Sequence, residues 1–283
     1  VIGWCVVHPA NTLAVRMSLA TMNTGVASPS FVKFASATVA KDGVLSLYSG
    51  LSAGITRQVF YATSRFGLYE VYRDAVMKMR GRSEASFATR LGVGLASGMS
   101  AALISCPAEV TLVRMSNDKN LPPERRRNYT SIVNAATRIV REEGVLAFWR
   151  GAVPFVQRAA LVGACQVGTY DQFRMFYEDK LRVRRGGVLN TFCASMTAGL
   201  LYSLITMPFE SAKNRMANQV KDEHGRLPYT STSQTMRVVA RTEGVLSLWT
   251  GFFPYYLRCG GHTVSMFIAV EALRSTYKKQ MAL

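Results

Sequence analysis

The stretch GAVPFVQRAALVGACQVGTYDQFR, residues 151–174, sets Arg158, Gln166, Asp171 and Arg174 into a segment that otherwise reads as an apolar helix. Charge inside an apolar helix needs a polar surrounding. The spacing returns twice: Gly50, Arg57, Glu70 and Arg73 stand at the offsets of Gly151, Arg158, Asp171 and Arg174, and so do Gly251, Arg258, Glu271 and Arg274. A self-similarity of about one hundred residues makes the chain one unit written three times, with three copies sharing one core. The copies are placed at residues 1–84, 85–185 and 186–283, and together they form one functional domain.

Composition narrows the class. Hydrophobic residues make up 49% of the 283 residues, with a mean hydropathy of only +0.10. That is low for helices facing lipid on every side, and reasonable for helices that also face a polar cavity. Lys plus Arg number 34 against 17 Asp plus Glu, a net charge of +17, so anions attract the chain, whether nucleic acid, anionic lipid or small acidic metabolites. The clusters at Arg125, Arg126 and Arg127 and at Arg182, Arg184 and Arg185 fall in polar connections and read as solvated loops near lipid headgroups. Five cysteines without a CxxC pair support neither a disulfide framework nor a zinc site, and His8, His224 and His262 are far apart, so no metal is expected. No nucleophile elbow, phosphate-binding loop or HExxH is present, which argues against an enzyme. The chain opens inside the apolar segment VIGWCVVHPA, so the start of the first helix is expected upstream.

Each copy follows one plan. An uncharged stretch holds a proline: residues 1–15 with Pro9, Leu91 to Ala108 with Pro107, and Val188 to Phe209 with Pro208. A missing donor and a ring clash predict a bend at each proline. A short amphipathic helix follows, stopped by Gly43, Gly144 or Gly244, with Ser28 and Pro29 as start signals in the first copy. The second long helices are placed at about Ser52 to Met79, Ala152 to Leu181 and Phe252 to Lys279, giving six spans. Gly94 with Gly98, and Ala194 with Ala198, are expected to allow close helix approach.

With these landmarks placed, the chain resembles the mitochondrial carrier family over essentially its full length. The family signature Pro-x-acid-x-x-base-x-base reads PAEVTLVR from Pro107 and PFESAKNR from Pro208; the first copy, PANTLAVR from Pro9, lacks both central charges. The second signature reads DGVLSLYSG at Asp42, EGVLAFWRG at Glu143 and EGVLSLWTG at Glu243. The resemblance implies an all-α membrane protein of six transmembrane helices in three pseudo-threefold repeats, each with two long helices and a short matrix-side amphipathic helix. It also implies a cofactor-free functional monomer in the mitochondrial inner membrane, with membrane lipids, cardiolipin among the candidates, as further partners. Within the family, RQVFYATSRFGLYE and PYYLRCGGHTVSMF are most similar to members that exchange 2-oxoglutarate for malate and related dicarboxylates. A broader dicarboxylate/tricarboxylate carrier and an uncoupling-protein-like carrier share much of this pattern.

Arg57, Arg158 and Arg258 are related by the repeat, and around a pseudo-threefold axis their forked guanidinium groups would meet at similar depth and suit a dicarboxylate. Arg65 has Gln166 and Met266 as its counterparts, an asymmetry that can orient one substrate end. By resemblance, Arg57, Arg65, Arg158, Gln166, Tyr170 and Arg258 contact substrate; the family has an asparagine where Gly163 stands, a change expected to widen the cavity. Tyr61 and His262, one turn from ring arginines, read as packing residues. The family's cytoplasmic gate pairs Glu70 with Arg174, Asp171 with Arg274, and Glu271 with Arg73. Its matrix gate would pair Asn11 with Leu112, Glu109 with Lys213, and Glu210 with Ala14, so that only the middle pair is ionic. This thin matrix set predicts that the arrangement closed on the cytoplasmic side is favoured without substrate. The competing classes are a nucleic-acid-binding helical repeat, which would carry its bases on a polar face and is set aside, and a non-transporting membrane adaptor with the carrier fold.

Overall fold

The computed structural model describes residues 2–24, 30–81, 86–121, 124, 126–181, 188–220 and 226–261, and among these the secondary structure is helical with no strand. The first repeat runs α1 (Ile2–Thr24), α2 (Phe31–Asp42) and α3 (Leu51–Arg80). The second runs α4 (Phe87–Asn117), α5 (Ile132–Glu143) and α6 (Ala152–Leu181). The third runs α7 (Val188–Asn218), α8 (Thr232–Thr242) and α9, described over 252–261. Three stretches among the described residues, Ala88–Asn120, Val145–Cys165 and Phe192–Asn218, are long and apolar enough to cross a membrane. Helix α3 carries Arg57, Arg65, Glu70 and Arg73 and falls outside that set, its charges lowering its apolar character.

Local chemistry sets the ends of the short helices. The hydroxyls of Ser131 and Ser231 accept from the amides of Asn134 at 3.1 Å and Gln234 at 3.3 Å, which caps α5 and α8. Gly144, with φ of 83° and ψ of 164°, stops α5 in backbone open in practice only to glycine. A single 3-10 segment then leads into each second long helix: Val44–Tyr48, Val145–Trp149 and Val245–Trp249. The start signals at Ser28 and Pro29 lie outside the described residues.

Helices α1, α4 and α7 each touch the other two, and this triangle closes the bundle at the short-helix end. Each continues as helix through its proline, which leaves the carbonyl four residues back without its helical donor. In the third repeat the Trp249 indole fills that role, donating to Leu204 O at 2.9 Å. The second glycine of each 3-10 motif docks one repeat on the next. A Cβ on Gly50 would lie 3.2 Å from Met115 of α4, one on Gly151 3.0 Å from the Lys213 carbonyl of α7, and one on Gly251 2.9 Å from the Ala14 carbonyl of α1. The third repeat thus closes back on the first. Gly251 also has φ of +88°, so Gly251→Ala should destabilise the protein by about 2 kcal/mol through strain and collision together. Thermal unfolding in detergent checks this; an unchanged Tm would contradict the contact.

Two small-residue expectations divide. Ala194 and Ala198 are buried, whereas a Cβ on Gly94 or Gly98 would meet nothing within 4 Å, so those glycines mark no close approach. Gly163 corrects another expectation. Its Cβ would lie 3.0 Å from Leu95 Cδ2, so this glycine serves the contact between α6 and α4 and does not widen a cavity.

Candidate functional site

Arg57, Arg158 and Arg258 each sit in the second turn of a second long helix, seven residues past the glycine that docks its repeat, so the ring of repeats brings them together. They are close enough to feel one another's charge. Arg57 is buried, with its Nε 3.3 Å from Glu109 Oε2. Arg158 Nε lies 3.2 Å from Glu210 Oε2, and its Nη1 donates to the Tyr255 hydroxyl at 3.4 Å. Arg258 Nη1 donates to Asn11 Oδ1 at 3.4 Å.

Lys213 stands at the centre. Its ammonium is in contact with Glu109 of the neighbouring α4 and lies 2.8 Å from Glu210 one turn back on α7. With both carboxylates almost fully buried, leaving either unpaired would cost several kcal/mol, so the bases cluster on them. Here the structure corrects the expected pairing. Glu210, whose family partner position holds Ala14, is not left without an ion pair: Lys213 and Arg158 both reach it. Asn11 and Leu112 do not pair; Asn11 accepts from Arg258, and Leu112 packs with Trp4 and Met115. The ring arginines therefore complete the matrix-side network, and the structure shows the arrangement closed at the short-helix end.

At the other end Glu70 and Arg174, the one expected pair with both side chains described, are apart. Glu70 bonds Arg73 on its own helix at 2.5 Å, Arg73 also holds Asp74 at 2.9 Å, and Arg174 pairs with Glu178 at 3.3 Å. The expected bond between Glu70 and Arg174 is thus replaced by contacts within each helix. The side chains of Asp171, Gln166 and Tyr170, and the whole of Met266, Glu271 and Arg274, lie outside what the structure describes. Arg65 stands about 12 Å along α3 from Arg57 and has no ion pair or hydrogen bond among the described residues. Tyr61 packs beside a core of Val15, Leu19 and Phe155, as expected of a packing residue.

Sequence reading missed a second charged set, also written three times. Arg16, Arg114 and Arg215, the last base of each first signature, are fully buried. Arg114 holds Glu143 through both Nη atoms, Arg215 holds Glu243 in the same way, and Arg16 lies 3.5 Å from Asp42. Two of them also tie repeats together: Arg16 Nε donates to Ser116 O and Arg114 Nε to Ala217 O, both at 2.9 Å. The signal was available. Each repeat pairs the closing base of one signature with the opening acid of the other.

The family model described as "Mitochondrial carrier protein" matches residues 1–80, 83–181 and 184–281. The human mitochondrial 2-oxoglutarate/malate carrier protein is 40% identical over 238 residues, covering 84% of this chain and 75% of the relative. The Caenorhabditis elegans protein of that name is 37% identical over 272 residues, covering 96% and 88%. A probable 2-oxoglutarate/malate carrier of Dictyostelium discoideum is 34% identical over 282 residues, covering 97% and 86%.

Proposed function

The chain belongs to the mitochondrial carrier family, and from that premise we infer that it is an antiporter exchanging 2-oxoglutarate for malate or related dicarboxylates across the mitochondrial inner membrane. The observation that carries the reading is the meeting of Arg57, Arg158 and Arg258 at the closed end of the bundle, where among the described residues two carboxylates, Glu109 and Glu210, stand beside four cations including Lys213. Four positive and two negative charges leave an excess of two. A dicarboxylate dianion neutralises that excess, and forked guanidinium groups bind carboxylates in two parallel hydrogen bonds where lysine offers a point charge.

The mechanism follows from shared partners. In the closed arrangement Arg57 and Arg158 serve Glu109 and Glu210; a substrate carboxylate entering from the far side competes for the same two arginines. Once it wins, Lys213 alone holds both carboxylates, the short-helix end loosens, and the helices re-pack around the loaded site. Arg65, further out on α3, meets the second carboxylate or guides it inward. Glu70, Arg73, Asp171, Arg174, Glu271 and Arg274 then supply the pairs that close the cytoplasmic end. An empty site leaves cations uncompensated during the transition, so return without cargo is slow and exchange is favoured over leak. One axis lies within one chain, so the transporting unit is a monomer, with surrounding lipid, cardiolipin included, as its solvent.

Proteoliposomes test this directly. Uptake of labelled 2-oxoglutarate into vesicles loaded with malate should exceed uptake into empty vesicles by about tenfold or more. Equal rates would rule out obligatory exchange. A panel of dicarboxylates and tricarboxylates in the same assay separates this substrate class from the broader one, and absence of uptake for the whole panel would point to a non-transporting adaptor.

A further inference from the structure

The three ring arginines lie over aromatic rings, but the rings do not come from equivalent places. Arg158 lies over Phe155 at 5.5 Å and Arg258 over Tyr255 at 4.5 Å, each ring one turn earlier on the arginine's own helix. The equivalent residue before Arg57 is Gly54. Arg57 instead lies 4.4 Å from the ring of Trp4, which belongs to the neighbouring helix α1. The two facts are one piece of geometry. A Cβ on Gly54 would stand 2.2 Å from Trp4 Nε1 and 3.0 Å from its Cε2, so any side chain at 54 would occupy the place of the indole.

Trp4 is buried, at 3% exposure, and its indole nitrogen has no hydrogen-bond partner among the described residues. A directed polar bond therefore does not fix the ring. What remains is packing against Val7, Ala53, Leu112 and Met115, the edge contact with His8 at 6.0 Å, and the guanidinium on its face. A cation over an indole face is the strongest of the common cation–π arrangements, more so away from water. Two arginines of the ring thus ride with their own helices, while the third is tied across a helix boundary.

We propose that Trp4 is the positioning residue for Arg57, seated there because Gly54 leaves the aromatic place on α3 vacant, so that movement of α1 against α3 alters the arginine of the first repeat alone. The transport consequence rests on the dicarboxylate exchange inferred above; the pairing itself does not. Trp4 acts through Arg57 and need not touch substrate.

The test separates a π face from mere volume. Trp4→Phe keeps a face and should leave KM for 2-oxoglutarate within about threefold of wild type, whereas Trp4→Leu fills space without one and should raise KM by roughly 3- to 30-fold with a smaller change in kcat. Gly54→Phe alone should disrupt the site, and Gly54→Phe combined with Trp4→Ala, which moves the ring to the place it holds in the other repeats, should recover most of the wild-type KM. Equal KM for the Phe and Leu variants, or no recovery in the exchanged pair, would overturn the proposal. A thermal-unfolding double-mutant cycle works without transport: Trp4→Leu should be non-additive with Arg57→Gln and additive with Arg158→Gln. Additivity with both defeats the proposal even if exchange is confirmed; absence of exchange in wild type, with the coupling intact, defeats only the functional reading.

Discussion

Arg158→Gln protein, reconstituted into malate-loaded vesicles, should take up 2-oxoglutarate at about 1% of the wild-type rate or less. The substitution removes a guanidinium from the ring and one of the two bases on buried Glu210. Two charge-assisted hydrogen bonds to a carboxylate are together worth about 3 kcal/mol, a factor of roughly one hundred in binding or rate. Arg158→Lys keeps the charge but loses the fork, and its expected deficit is smaller, about tenfold. Initial uptake rates across a concentration series decide the matter. Activity of Arg158→Gln within threefold of wild type would remove Arg158 from the substrate path and with it the idea that one arginine serves gate and cargo in turn.

Arg114→Met should destabilise the protein by about 3 kcal/mol, because it takes the bidentate partner from the partly buried Glu143, leaving Arg127 and Arg150 at that carboxylate, and frees the Ala217 carbonyl. A shift of that size lowers Tm by roughly 6–12 °C for a chain of this length. Pairing Arg114→Met with Glu143→Gln should restore a large part of the loss, since removing both charges avoids isolating either one. Equal Tm for the single and double variants would mean that packing of the arginine stem, and not the ion pair, carries the stability. The same carboxylate predicts a pH effect. Burial pushes the Glu143 carboxyl upward, but the Arg114 hydrogen bonds and the charges of Arg114, Arg127 and Arg150 outweigh it and hold it below its ordinary value. A folded value lowered in this way stabilises the protein above the unfolded carboxylate range near about pH 4.3, and that stability is lost as pH falls through the folded value. Glu143→Gln should flatten the acid limb of a Tm-against-pH curve.

Both variants act on residues that the repeat singles out, yet only one was legible in advance as a site. Arg158 shares its offset with Arg57 and Arg258 inside apolar helix, and an intramembrane arginine written three times declares itself. Arg114 shares an offset with Arg16 and Arg215 just as plainly, but in sequence it resembles an ordinary helix-ending base. Its burial depends on a short helix folding back to bring Glu143 beneath it, which no local pattern states. Gly163 was misread for a related reason. A deleted side chain signals room, and only the path of α4 decides that Leu95 takes it.

By itself the sequence determined the threefold plan, the long and short helices with their glycine stops, and the identity of the charges that interrupt the apolar spans. These follow from local rules: a 3.6-residue period, the backbone demands of caps and stops, and the expense of charge in hydrocarbon. Only tertiary structure decided who pairs with whom. Lys213 bridging two carboxylates, Arg158 serving in place of an absent base at Ala14, and Trp4 crossing to Arg57 past Gly54 are contacts between segments far apart in the chain. Buried ions take whichever partner the fold brings within reach, and a motif fixes the spacing of charges along one helix but not their neighbours across the axis.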